Sequence, residues 1–286
     1  VLTILLSLSC AVVAQEKRPE TKEPETAAEY SNRGLERLRK GDLDGAIADY
    51  DKVLLLKPND VRALINRGGA RARRGDLGGS LADFELAISV EPNNAAAHYG
   101  RGLTLGRKGD NDGALAEFNI AVGLDPKYTE AYNGRAVSRS KKGDYAGAIA
   151  DYNKILTANP NAAEIYSNRG IARNALGDYA GAIEDYTKAI ELKPDYAYAY
   201  NNRGNTYGKK GDDDAAIADF NKAISLVPNF AAAYANRGLA ELSKGMDSEA
   251  EQDFHKALEI SASLKPMIEK EADKIREQRR KAQQKP

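Results

Sequence analysis

From Ala27 onward the chain sets short amphipathic stretches between brief polar breaks. In the stretch Ala27 to Lys40, Tyr30, Gly34 and Leu38 recur at four-residue spacing, which puts them on one face of a helix. Gly41 ends that stretch, because a helix terminus favours a residue that accepts the left-handed conformation. Asp42 suits the start of the next helix, where its carboxylate can take up free backbone N–H groups. That second helix turns Ala46, Tyr50, Val53 and Leu54 inward, and Pro58 closes it. Gly34 and Ala46 are small, so the two helices can approach closely. A bulkier residue at either position would overpack the contact by about 1–3 kcal/mol.

This helix–turn–helix pattern recurs with a period of 34 residues. Arg33, Arg67, Arg101, Arg135, Arg169, Arg203 and Arg237 mark it, each followed by Gly or, at Ala136, Ala. Eight residues after each arginine stands another glycine, from Gly41 to Gly245, and six of these seven precede Asp. An aromatic recurs at Tyr50, Phe84, Phe118, Tyr152, Tyr186, Phe220 and Phe254, and a proline at six positions from Pro58 to Pro228. A single pair of amphipathic helices cannot bury its apolar face, whereas stacked pairs can. The predicted fold is therefore an all-α solenoid of tandem repeats, not two globular domains.

The period, the Gly and Ala positions, the aromatic and the closing proline together resemble the tetratricopeptide repeat family. The resemblance covers Ala27 to Leu264 as seven units: 27–60, 61–94, 95–128, 129–162, 163–196, 197–230 and 231–264. It implies a right-handed superhelix whose first helices line an inner groove that binds other proteins or peptides. The fourth position of a unit, often Trp in the family, is Tyr30, Leu64, His98, Tyr132, Tyr166, Tyr200 and Tyr234 here. The third unit departs most, with His98 there and Gly100 two residues later. The last unit has Met246 where Asp is usual and Pro266 four residues late, as befits a terminal unit running into a cap.

The ends read differently. Val1 to Ala14 is apolar but short for a membrane span. It is like the hydrophobic part of a secretory signal, with Val12-Val13-Ala14 before Gln15 as a small-residue cleavage pattern. It lacks a basic beginning and starts at Val1, which points to a truncated or non-standard start. Export to the periplasm or envelope is the expectation. Lipidation at Cys10 is the lesser alternative, since Ser7 stands where a lipoprotein box has an aliphatic residue; a cytoplasmic protein follows if the segment is not a signal. Gln15 to Thr26, polar and carrying Pro19 and Pro24, reads as a disordered linker. At residues 265–286, Ile268, Ala272 and Ile275 form one stripe, which predicts a C-terminal capping helix over the last apolar face. Its basic end (Arg276, Arg279, Arg280, Lys281) is a solvated face, with contact to anionic lipid or an acidic partner as the alternative.

Composition changes this picture little. The formal charge is zero, with 42 basic and 42 acidic residues, so the whole molecule has no electrostatic footprint for nucleic acid. Cys10 is the sole cysteine, so the repeats can hold neither a disulfide nor a cysteine-ligated zinc. His98 and His255 are far apart and read as packing or surface residues. The periodic glycines are explained by turns and helix crossings, so they form no phosphate loop. No catalytic, cofactor or metal site is expected.

Each arginine is matched sixteen residues later by Asp49, Asp83, Glu117, Asp151, Asp185, Asp219 or Asp253, which predicts a repeated ion pair between the two helices of a unit. Asn precedes the arginine at Asn32, Asn66, Asn168, Asn202 and Asn236. This position resembles the asparagine ladder with which some members of the family hold a peptide backbone; a local bond to the neighbouring unit is the alternative. Gly100 and Gly134 interrupt the row, and beside Tyr99 and Asn133 they would widen a pocket for a ligand side chain. Ser31, Ile65, Ser167, Asn201 and Ala235, then Leu35, Gly69, Leu103, Val137, Ile171, Asn205 and Leu239, are expected to face the same groove. No unit carries the Lys that the family's clamp for chaperone carboxyl termini needs. Basic residues at the ends of first helices, such as Arg37, Arg39 and Lys40, suit the helix dipole, with a stripe for acidic partners as the alternative. The expected function is a non-enzymatic scaffold for peptides or partner helices, or else an accessory subunit docking onto an envelope enzyme or secretion complex.

Overall fold

A computed structural model of the chain describes residues 26–283. The apolar segment 1–14 with Cys10, and the linker up to residue 25, lie outside the described residues. Seven first helices alternate with seven second helices. The first are α1 (Ala27–Lys40), α3 (Val61–Arg74), α5 (Ala95–Lys108), α7 (Thr129–Lys141), α9 (Ala163–Ala175), α11 (Ala197–Lys210) and α13 (Ala231–Lys244). The second are α2 (Leu43–Leu56), α4 (Leu77–Val90), α6 (Asn111–Leu124), α8 (Tyr145–Ala158), α10 (Tyr179–Leu192), α12 (Asp213–Leu226) and α14 (Asp247–Ile260). A short 3-10 turn leads into α15 (Lys265–Gln283). Each helix packs on its neighbours in sequence, and there is no strand among the described residues. The fold is a right-handed α-solenoid of tandem helix-turn-helix repeats with a C-terminal capping helix.

The turn chemistry is as the sequence demands. The seven glycines from Gly41 to Gly245 are the residues with positive φ among those described, a conformation that costs little only without a Cβ. Asp42, Asp76, Asp110, Asp144, Asp178 and Asp212 each accept from the backbone N–H three residues on, capping the second helices. Met246, standing in that place in the last unit, offers no such bond.

Packing explains the small residues. A Cβ on Gly68 would meet the Phe84 ring at 3.2 Å and one on Gly102 the Phe118 ring at 2.8 Å. The aromatic of the second helix therefore abuts the glycine of the first helix of its own unit. Phe84 and Phe118 also reach forward. A Cβ on Gly100 would come within 2.3 Å of Phe84, and one on Gly134 within 2.8 Å of Phe118. The space expected at Gly100 and Gly134 is thus taken up by the phenyl rings of the preceding units.

The end of the solenoid is closed by α15. Ile268 and Ala272 are buried against Ala235, Leu242, Phe254 and Ala257, with Ile275 beside them. Arg279 donates to the Leu242 carbonyl at 3.0 Å and pairs with Asp247 at 2.5 Å. Arg107 makes an equivalent bond to the carbonyl of Ala72 in the unit before it, at 2.8 Å. The cap thereby repeats the contacts of an eighth first helix. Its basic end is largely neutralised: Arg276 pairs with Glu251 at 2.6 Å, and Lys281 and Arg280 with Glu277. Among the described residues no helix is long and apolar enough to cross a membrane.

Candidate functional site

The repeated ion pair is present in all seven units. In Arg67, Arg135, Arg169, Arg203 and Arg237 the Nε and Nη2 donate side by side to the two carboxylate oxygens at 2.5–3.0 Å. Every one of these carboxylates is buried. The third guanidinium nitrogen reaches the preceding second helix: Arg67 to Asp51 at 2.6 Å, Arg169 to Asn153 at 2.6 Å and Arg203 to Thr187 at 2.9 Å. One arginine therefore ties together three helices across a unit boundary. The Tyr at the fourth position lies under it, with guanidinium-to-ring distances of 5.2–5.7 Å in five units.

A second arginine, four residues on, does more than suit the helix dipole: it joins the ion pair. Arg37, Arg71, Arg139 and Arg173 bond the same buried carboxylates at 2.9–3.1 Å. The third unit has Leu105 there, and His98 supplies the missing donor: its Nδ1 lies 2.8 Å from Glu117, its Nε2 3.0 Å from the Pro92 carbonyl. The seventh unit has Glu241 there. Glu241 is buried beside Asp253, and one of its oxygens has no partner. Burial, then the charge of Asp253, pushes its carboxyl up to about 7 against the pull of Arg237. These charges are framework, as their burial requires.

The first helices carry a candidate ligand surface. An open cleft of about 230 Å³ lies between α9 and α11, lined by Ile171, Asn174, Ala175, Tyr186, Asn202, Asn205 and Lys209. With Ala27, Val61, Ala95, Thr129, Ala163, Ala197 and Ala231 as first residues, its first-helix lining occupies the sixth, ninth, twelfth and thirteenth positions of a unit. Lys209 donates to Asn174 at 2.8 Å, and Asn174 to Thr206. Tyr186 closes the floor; burial raises its phenol well above the ordinary value, although Asn174 and Thr206 offset part of this.

The candidate groove residues divide. Asn32 and Asn205 are exposed and Asn168 half-buried, and none makes a side-chain hydrogen bond among the described residues. Asn202 lines the cleft and accepts weakly from Asn201 at 3.5 Å. Asn236 instead donates to buried Asn201 of the preceding unit at 3.1 Å and is engaged locally, whereas Asn66 is half-buried on α3. Ser167, Asn201 and Ala235 are buried between units and do not face the groove. Tyr99 is half-buried in an aromatic cluster, 5.8 Å from Phe118 and 5.0 Å from Tyr128 between ring centres. Asn133 is half-buried with its Oδ1 unpartnered. The ninth-position row stays open: Leu35, Leu103, Val137 and Ile171 are each about two-fifths exposed. Among the described residues no cluster of three or more His, Cys, Asp or Glu could hold a metal ion.

Models of the tetratricopeptide repeat match residues 31–91, 75–129, 129–162, 197–230 and 231–264, and a TPR repeat model matches 170–211. No curated protein sequence matches the chain. Among solved structures, a tetratricopeptide repeat protein from Parabacteroides merdae is 23% identical, with 87% of this chain and 98% of that one covered at a TM-score of 0.65. The protein MamA is 33% identical, over 57% of this chain and 95% of its own, with a TM-score of 0.52. YrrB, described as a TPR protein with an unusual peptide-binding site, is 22% identical, over 64% and 95%, with a TM-score of 0.57.

Proposed function

Since the chain belongs to the tetratricopeptide repeat family, we propose that it is a non-enzymatic scaffold that holds a peptide or partner helix along the inner surface of its first helices. The observation that carries this reading is the division of labour among side chains. The charges that look chemically active are buried in the ion-pair framework, whereas the amides of Asn32 and Asn205 and the aliphatic row through Ile171 are left at the surface, with Asn168 and Asn202 half-buried beside them. An amide offers donors and an acceptor to a peptide backbone without reading its sequence. Exposed aliphatics add apolar area for the partner to cover. Binding is non-covalent, and any action comes from bringing partners together. With the signal-like segment 1–14, we place the scaffold in the periplasm or on the envelope.

The test is selection of peptides from a random displayed library on the purified protein, followed by amide exchange with the selected peptide. Protection is expected on α9 and α11, with affinity lowered about tenfold by Ile171→Asp and several-fold by Asn202→Ala. Peptides that protect the second helices instead, with affinities indifferent to both substitutions, would sink the reading. Fractionation of the native host tests the location; recovery of the protein with the cytosol contradicts it.

A further inference from the structure

The chain is neutral overall, but its groove is not. Of the twenty-eight residues at the sixth, ninth, twelfth and thirteenth positions of the seven units, none is Asp or Glu and five are Arg or Lys. The five are Arg39, Arg73, Arg107, Lys141 and Lys209, one on each of α1, α3, α5, α7 and α11, all exposed. They are one residue from cations of a different kind. Arg74, Lys142 and Lys244 at the fourteenth position pair with Asp44, Asp112 and Asp214 of the unit before. None of the thirteenth-position cations forms an ion pair among the described residues. Arg107 and Lys209 donate to neutral oxygens on Ala72 and Asn174, which hold the cation in place without cancelling its charge. Glu36, the acid beside Arg39, is taken by Lys40 at 2.5 Å.

We infer that the groove selects an acidic segment of a protein partner, one in which Asp or Glu side chains alternate with aliphatic residues. The inference rests on the groove reading above and adds the partner's chemistry to it. The row of Leu35, Leu103, Val137 and Ile171 runs beside the row of unpaired cations, so one strip of a ligand meets apolar surface and the adjoining strip meets positive charge. A segment bearing Lys or Arg would place like charges against that second strip, which costs affinity and slows encounter. The recognised groups are side-chain carboxylates, so a free C-terminus is not required.

Two fluorescein-labelled, C-terminally amidated peptides test this, one of Glu and Leu and the other of Lys and Leu in the same order. The acidic peptide is expected to bind, and to weaken as salt screens the exposed charges. The double reversal Arg39→Glu with Lys141→Glu should lower its affinity at least about tenfold and improve that of the basic peptide. The double variant is first checked for unchanged helical content and melting, since neither side chain joins the ion-pair framework. Equal binding of the two peptides, or indifference to the reversal, overturns the charge inference; it leaves the groove reading standing if Ile171→Asp still weakens both. Indifference to Ile171→Asp as well overturns the groove reading itself. Binding of neither peptide, or displacement of the acidic one by an oligonucleotide at lower concentration, also overturns the acidic-peptide inference.

Discussion

At the scale of single residues, the proposed groove and the framework lie two positions apart on one helix. Arg169 at the seventh position and Arg173 four residues later both serve the buried Asp185, while Ile171 between them faces outward. Removing one of two guanidinium partners leaves the carboxylate with the other. Arg169→Ala is thus expected to cost less than Arg237→Ala, whose carboxylate neighbours are Asp253 and Glu241. Loss of a sole buried partner costs about 3–5 kcal/mol. Denaturant unfolding of the two variants checks the order, and equal losses would contradict it. Glu241 makes a pH-dependent prediction. Its carboxyl sits at about 7 in the fold against an ordinary value of 4.5. Between those values the folded chain binds more protons than the unfolded one, so stability falls as pH rises across that window and stays lowered above it. Glu241→Gln should remove this slope and stabilise the protein at pH 8 by about 1–3 kcal/mol. Melting curves that keep the wild-type slope would refute it.

At the scale of the helix, what was legible in the sequence followed from rules that act within a unit. Glycine at the helix end, aspartate after it and an arginine sixteen residues before an acid are each satisfied inside one helix pair, so a 34-residue pattern displays them. Contacts between units were not legible in the same way. The aromatic of one unit meets the sixth position of the next: Tyr50, Tyr152 and Tyr186 precede Asn66, Asn168 and Asn202, and Phe84 and Phe118 precede Gly100 and Gly134, while Phe220 precedes Asn236, which bonds Asn201 instead. Without the neighbouring helix in view, a glycine reads as empty space when it is a seat for a ring. Two glycines of α5 separate these cases. Gly106→Ala meets only an ordinary contact, 3.7 Å from the Ala114 Cβ, and should stabilise by about 0.5–1 kcal/mol by removing helix-interior glycine. Gly100→Ala drives a Cβ to 2.3 Å from Phe84 and should destabilise by about 1–3 kcal/mol. Chemical denaturation distinguishes them, and the same sign for both would be inconsistent with this packing.

At the scale of the whole molecule, the solenoid couples each unit chiefly to its neighbours, so a change at one end is expected to fade with distance. The cap is the place to measure that decay. Without residues 265–286, Leu242, Phe254 and Ala257 lose their cover from Ile268 and Ala272. The Leu242 carbonyl and Asp247 lose Arg279. Amide exchange on the truncated chain should show α13 and α14 opening readily, α11 and α12 less so, and α1 to α4 protected as before. A uniform loss from α1 to α14 would mean that the units fold as one cooperative block. The distinction bears on binding as well as stability. If coupling is local, a ligand lying across α5 to α11 joins units that otherwise open separately, and its binding adds to their stability by linkage. The stabilisation should then be largest in the spanned units and absent from α13 to α15, which makes exchange in the bound state a map of how far along the groove the partner reaches.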